Sequence, residues 1–186
     1  MTETQTRRQQ LLDTAAELFA ARGFHGVSVA DLGAACGISG PALYKHFGSK
    51  QALLAEMLVS ISERLLAEGQ ARVAAASSPP DAIGSLVDWH VDFALRHRAL
   101  IVVQDRDWSS LPADSREQVR TLQRSYVDLW ADQLRLVSAS LTPDAARAMA
   151  HAAFGLINST PHSATLPAPQ MRELLTDMAC RALGLP

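Results

Sequence analysis

Catalytic machinery is what this 186-residue sequence most plainly lacks. It contains no GxSxG, HExxH, phosphate-loop or glycine-rich dinucleotide motif, so the nucleophile–base and metal-ligand sets those patterns mark are missing and an enzyme is not expected. Cys36 and Cys180 are its only cysteines, at opposite ends of the chain and without CxxC or Cys/His spacing. Neither a disulfide framework nor a zinc site is therefore suggested, no cofactor is expected, and both thiols read as small buried hydrophobes. No apolar run approaches the roughly 18 residues of a membrane span, and the polar stretch Thr2 to Asp13 does not form the charged-then-apolar pattern of a signal peptide. A soluble, cytoplasmic protein with no membrane partner is expected. Lysine is almost absent: Lys45 and Lys50 are the only two, and every other cation is arginine.

What remains is enough for a packed core. The composition is 48% apolar with a mean hydropathy near zero, compatible with one or two compact domains. The net charge of −2 is unevenly spread: residues 1–50 hold five Lys or Arg against four Asp or Glu, and residues 51–186 hold twelve against fifteen. Charge by itself does not decide for or against a nucleic-acid partner.

Hydrophobic period and capping signals predict helices throughout. Leu11, Ala15, Leu18 and Phe19 recur at helical spacing up to Gly23, predicting a helix over about 6–22. Ser28 with Asp31 forms a capping-box pattern that opens a short helix to about 35, with Gly37 beyond its end. Ser39 and Pro41 open another, about 40–46, and Gly48-Ser49 precede a longer helix whose Leu54, Met57, Leu58, Ile61 and Leu65 form one stripe to about 74. Ala76-Ser77-Ser78-Pro79-Pro80 reads as a loop, because Pro-Pro does not continue a helix. Further helices are predicted at about 82–97, 99–106, 114–139, 143–159 and 168–183. No alternating strand pattern or internal repeat competes. The class is all-α with about nine helices.

Three short helices followed by a fourth, with Gly37 in the turn between the second and third, make the helix-turn-helix pattern. The run Gly37-Ile38-Ser39-Gly40-Pro41-Ala42-Leu43-Tyr44-Lys45-His46-Phe47-Gly48-Ser49-Lys50-Gln51-Ala52-Leu53-Leu54 closely resembles the recognition-helix signature of the TetR family of transcriptional regulators. Upstream, Ala20 to Val29 resembles that family's first turn, and the likeness is dense over residues 10–58. The resemblance implies a DNA-binding domain at 1–49 and an effector-binding and dimerisation domain at 50–186. It implies a homodimer that reads two half-sites of double-stranded operator DNA and is released by a small molecule. Leu43 and Phe47 are expected to pin the third helix through Phe19, Leu32 and Ile38. Small residues Gly40, Pro41 and Ala42 then allow close approach to base edges. The resemblance places Tyr44 and His46 on phosphates and Lys50 on the DNA backbone at a helix N-terminus. Ser28, Val29, Ser39 and Lys45 complete the expected DNA face. The alternatives are packing for Tyr44, a structural turn contact for His46 and a solvated charge for Lys50. Ala30 stands where many relatives carry a basic or polar residue, and Arg7 and Arg8 are candidates for a compensating flexible arm.

In the second half, Ala148, Ala152 and Gly155 share one helix face and Met171, Leu174, Leu175 and Met178 form a stripe on the last helix, as a four-helix dimer bundle uses. Packing within one subunit is the alternative. Trp89, His90, Phe93, His97, Trp108, Tyr126, Trp130, His151, Phe154 and Asn158 supply aromatic walls with polar handles for a small-molecule pocket, against the alternative of ordinary core packing. Arg96, Arg98, Arg106, Arg116, Arg120 and Arg124 read either as a solvated face or as a phosphate-binding rim. Gln104 to Tyr126 and Phe154 to His162 resemble a regulator subgroup that includes sensors of acyl-coenzyme A thioesters. An acyl-CoA or a hydrophobic carboxylate is therefore an expected effector class. A DNA-binding module regulated by a partner protein is the remaining alternative.

Overall fold

A computed structural model describes residues 7–185, apart from the side chain of Pro41. The expected start of helix one at residue 6 and the expected base contact by Pro41 fall outside the described residues. Among those described, all regular structure is helical: α1 (Arg7–Arg22), α2 (Val29–Ala35), α3 (Gly40–His46), α4 (Lys50–Ala75), α5 (Pro79–Arg96), α6 (Arg98–Asp107), α7 (Ala113–Val137), α8 (Pro143–Ile157), α9 (Thr160–Ser163) and α10 (Ala168–Ala182), with a 3₁₀ turn at Trp108–Ser110. The nine expected helices are present, and the one-turn α9 occupies part of the break expected between Pro161 and Pro169. None is long and apolar enough to cross a membrane.

Capping chemistry sets most starts. Ser28 Oγ accepts from the Asp31 backbone N–H while the Asp31 carboxylate accepts from the Ser28 N–H, a closed capping box that begins α2. Ser39 Oγ accepts from Ala42 N and Thr142 Oγ1 from Ala145 N, each followed by a first-turn proline. The expected Pro79-Pro80 loop is instead the first turn of α5, capped by Ser78. First-turn N–H groups have no intrahelical acceptor, so two prolines in succession cost no hydrogen bond there.

Packing divides the chain into two compact units, residues 7–61 with Ala99–Val119, and Ser62–Arg98 with residues 120–185. This boundary is not the one expected at 49/50, because the first turns of α4 and most of α6 pack with the first unit. Leu11, Ala15 and Phe19 of α1, Leu32 of α2, Leu43 and Phe47, and Leu54 and Leu58 of α4 are all buried. Each such leucine or phenylalanine contributes about 1.5–3 kcal/mol relative to exposure. Gly23 and Gly37 end α1 and the α2 segment at φ +79 and +66, a region that residues with a β-carbon rarely enter.

In the second unit α5 packs against α8 and α10. Arg172 of α10 pairs with Asp88 and Asp92 of α5, and the buried Thr160 hydroxyl donates to the Ala94 carbonyl at 2.9 Å. Met171 and Leu175 are 3% and 2% exposed within the single chain, which corrects their expected place on a dimer face. They lie on the inner side of α10, since residues four apart share a helix face. The outward-facing Leu174 and Met178 are 41% and 44% exposed, and Ala148, Ala152 and Gly155 of α8 are exposed as well. Cys36 is buried as expected, whereas Cys180 is only half-buried.

Candidate functional site

Most of the residues expected to face DNA lie on α2, α3 and the turn between them. A β-carbon on Gly33 would stand 2.8 Å from the Ile38 carbonyl oxygen and 2.9 Å from Gly40 N. The absent side chain therefore lets the turn fold directly onto α2, and Ile38 N donates to the Gly33 carbonyl at 2.9 Å. The sequence reading did not single out Gly33; an isolated glycine inside a helical pattern was the available signal.

With Leu43 and Phe47 turned inward, the opposite side of α3 presents Tyr44, Lys45 and His46, all exposed, and Tyr44 at 48% makes no buried contact of the kind its packing alternative requires. Ser28 and Ser39 are exposed, while Val29, Gly40 and Ala42 are half-buried beside them. Ser39 Oγ accepts from Ala42 N at 3.2 Å and keeps its own proton for another acceptor. The Ser28 hydroxyl both accepts from Asp31 N and donates to the Asp31 carboxylate, so its proton is already used in the cap. Donation from the Ser28 hydroxyl and from the Ser28 backbone N–H holds the Asp31 carboxyl below its ordinary range.

Lys50 is more engaged than a solvated charge. Its Nζ donates to the Phe24 carbonyl at 2.8 Å and the Val27 carbonyl at 2.7 Å, and lies 4.3 Å from the centre of the Phe24 ring. An ammonium has three N–H donors, so one is left over. Arg7 and Arg8 do not form a free arm. Both lie in α1: Arg7 donates to the Cys36 carbonyl at 2.7 Å, and Arg8 forms a bidentate pair with Glu56, donates to the His46 carbonyl at 2.7 Å and stacks over Phe47. Arg8 thereby fixes the end of α3 to α4.

The arginines considered as a phosphate rim are divided between the units and mostly bonded. Arg96 pairs with Asp92 at 3.0 Å; Arg116 donates to the carbonyls of Ser109 and Leu111. Arg106 donates to the carbonyls of Phe19 and Ala20 at the C-terminal end of α1 and pairs with buried Asp107. The Phe19 carbonyl also accepts from Gly23 N, and a cation at this end complements the helix dipole.

The second unit gathers most of the expected pocket residues. His90 stacks on Phe154 at 4.7 Å and on Tyr126 at 5.8 Å, Tyr126 lies parallel to Phe154 at 5.5 Å, and Trp130 meets His90, Tyr126 and Phe154 edge-on at 4.9–6.1 Å. Phe93 joins through His90, and His97 through Phe93. His151 is exposed at the margin, 6.4 Å from Phe154. Asn158 reaches the cluster from the end of α8, its Oδ1 3.2 Å from His90 Nε2. Trp108 belongs to the first unit. Trp89 turns elsewhere, toward the guanidinium groups of Arg64 and Arg72.

Electrostatically the cluster is dry. Burial lowers the His90 pKa to about 4 against the opposing Asn158 hydrogen bond, so the imidazole is neutral near pH 7, and burial raises the Tyr126 hydroxyl. Trp130 Nε1 is the donor beside the Tyr126 hydroxyl, whose own proton has no acceptor, and His90 Nδ1 in the cluster and Trp89 Nε1 beside it are buried without a hydrogen-bond partner. Such orphans are unusual, because buried polar groups are nearly always satisfied. Arg72 and Gly69 of α4, absent from the sequence reading, also belong here. A β-carbon on Gly69 would stand 2.8 Å from Tyr126 Cε2.

Comparison with known proteins agrees with both halves. Residues 11–57 match the family described as bacterial regulatory proteins, tetR family, and residues 76–162 match the tetracyclin repressor-like C-terminal domain. The HTH-type transcriptional repressor KstR2 of Mycolicibacterium smegmatis is 30% identical over 144 residues, 75% of this chain and 69% of the relative. Among solved structures, a TetR-family transcriptional regulator from Bordetella parapertussis 12822 superposes with a TM-score of 0.84 at 24% identity, over 96% of this chain and 94% of the other. AibR in complex with isovaleryl coenzyme A and operator DNA superposes with a TM-score of 0.77 at 19% identity, over 93% and 97%. A helix-turn-helix with an outward-facing α3, followed by a helical unit with a buried aromatic core, is thus matched in sequence and in fold, and the chain belongs to the tetR family of bacterial regulatory proteins, as a transcriptional regulator and not an enzyme.

Proposed function

We propose that the protein is a cytoplasmic repressor that binds two operator half-sites as a homodimer and is released when a small hydrophobic molecule, an acyl-CoA or a hydrophobic carboxylate, binds the C-terminal part of the chain. Functionally, residues 1–49 read DNA and 50–186 bind effector and partner subunit. One observation carries the reading: among the described residues the exposed Tyr44, Lys45 and His46 side chains of α3 make no tertiary hydrogen bond or ion pair, while in the second unit Arg72 Nε, Trp89 Nε1 and His90 Nδ1 are buried without partners.

On this reading α3 enters the major groove with Gly40, Pro41 and Ala42 close to base edges, and Val29 beside them. Tyr44, Lys45, His46, Ser39 and the remaining N–H of Lys50 hold phosphates, and these contacts position rather than specify. Ser28 contributes its outer surface and not its hydroxyl proton. The exposed Ala148, Ala152, Gly155, Leu174 and Met178 form the dimer contact, which places two reading helices roughly 34 Å apart. Effector binding acts by shifting the dimer away from the spacing that matches successive grooves. A coupling of about 2–3 kcal/mol weakens operator binding roughly 30- to 150-fold.

The test is fluorescence anisotropy of the purified protein on a palindromic fragment from the DNA upstream of its own gene. Salt-dependent, competitor-resistant binding that falls on addition of one hydrophobic carboxylate or acyl-CoA is expected. Specific binding that no effector of either class reduces would remove the release mechanism. Absence of specific binding to any genomic fragment would remove the repressor reading.

A further inference from the structure

The unpartnered atoms of the second unit share a chemical bias. Trp89 Nε1 and Arg72 Nε are donors only, and each is buried without an acceptor; the Tyr126 hydroxyl, with Trp130 Nε1 as a donor beside it, likewise has no acceptor for its own proton. His90 is the exception: Asn158 Oδ1 accepts from its Nε2, so in the neutral ring Nδ1 is a lone pair. Whatever completes this site brings acceptors.

Charge points the same way. Arg96, Arg147, Arg172 and Arg181 in this unit are each matched by an aspartate. Half-buried Arg72 forms no ion pair among the described residues; its guanidinium lies 5.3 Å from the centre of the Trp89 ring. Its positive charge also acts on the Tyr126 hydroxyl. Gly69, three residues earlier and hence on the same side of α4, lets the helix approach Tyr126 so closely that a β-carbon would clash with the ring. Arg72 is thereby brought beside both aromatic donors. A half-buried guanidinium facing rings and donors, with no carboxylate, is an anion site without its anion.

We propose that Arg72, with Tyr126 and Trp89, holds the ionised head of a free hydrophobic carboxylic acid whose apolar body lies against the His90, Trp130 and Phe154 rings. This rests on the effector reading above and narrows it. A carboxylate accepts only, with about four lone-pair positions, and matches a cation with converging neutral donors. A primary amide brings two N–H groups that find no acceptor beside Arg72, and an amine adds like charge. A thioester has lost the carboxylate charge and offers its carbonyl alone.

Decanoate and 4-phenylbutyrate, with decanamide, 4-phenylbutyramide and decanoyl-CoA, are titrated into the full-length protein and followed by tryptophan fluorescence and by melting temperature. The acids are expected to bind at least roughly tenfold more tightly than the amides. Arg72→Met abolishes that preference with helical content unchanged, and Arg64→Met, at the other guanidinium facing Trp89, retains it. Equal binding of acids and amides, a preference that survives Arg72→Met, or no binding of either acid up to about 1 mM overturns the proposal. Should decanoyl-CoA release operator DNA while the acids do not bind, the carboxylate site falls and the effector reading stands. Should the acids bind through Arg72 without affecting operator binding, the site stands and the effector reading falls.

Discussion

The two units place their candidate binding residues on opposite sides of the solvent boundary. In the first, Tyr44, Lys45 and His46 are exposed on a seven-residue helix and carry no packing load, while Leu43 and Phe47 beneath them are each 3% exposed and hold the fold. In the second, Trp130 is fully buried and Tyr126 and His90 are 5% and 3% exposed, so the same side chains serve as core and as candidate ligand wall. On the proposed function, recognition and stability are therefore separable in the first unit and coupled in the second. A surface that reads a large rigid partner gains from exposure; a site for a small apolar molecule gains from exclusion of water.

Substitutions ordered by their effect on stability test that separation. Trp130→Ala removes the largest fully buried side chain and is expected to cost about 3–5 kcal/mol in urea unfolding. A loss below about 1 kcal/mol would show a cluster less tightly packed than the ring geometry indicates. Acidification comes next. His90 is neutral in the fold with a pKa of about 4, whereas the unfolded chain takes up a proton near pH 6.5. Below pH 6.5 the unfolded state binds more protons, so stability falls as pH drops from 6.5 to 4, by up to about 3 kcal/mol. In His90→Phe that portion of the pH dependence disappears; an unchanged profile would place the proton uptake elsewhere.

Gly33→Ala drives a β-carbon into the α2–α3 turn and is expected to cost about 1–3 kcal/mol while abolishing operator binding in gel-shift measurements. Lys50→Met removes two hydrogen bonds to carbonyls, for a loss of about 1–2 kcal/mol. If its third N–H meets a phosphate, the log–log salt slope of DNA binding also falls by about one. Tyr44→Ala is the sharpest test, with stability unchanged to within about 0.5 kcal/mol and operator affinity reduced roughly tenfold or more. Comparable losses of stability and affinity at Tyr44 would erase the contrast between the units.

Legibility in the sequence followed the same division. Helix starts at Ser28, Ser39 and Thr142 were readable because a cap needs residues only three positions apart. The exposed face of α3 was readable because it consists of the positions left over once Leu43 and Phe47 point inward. Misreadings arose where a local rule meets a second condition. Pro79-Pro80 breaks a helix interior but suits a first turn, and Arg7 and Arg8 look like a free basic arm until Glu56, distant in sequence, pairs with Arg8.

By itself, then, the sequence determined an all-helical chain, the helix-turn-helix and its family, since these rest on spacing and capping within one or two turns. Tertiary structure alone decided which aromatics converge. His90, Tyr126, Trp130 and Phe154 come from α5, α7 and α8, up to 64 positions apart along the chain, and helical period says which face a residue takes but not which face it meets. It also decided that Met171 and Leu175 are buried within the single chain, and that Arg72 reaches the Trp89 ring without a carboxylate partner among the described residues, because burial and pairing are properties of the neighbours a side chain acquires on folding.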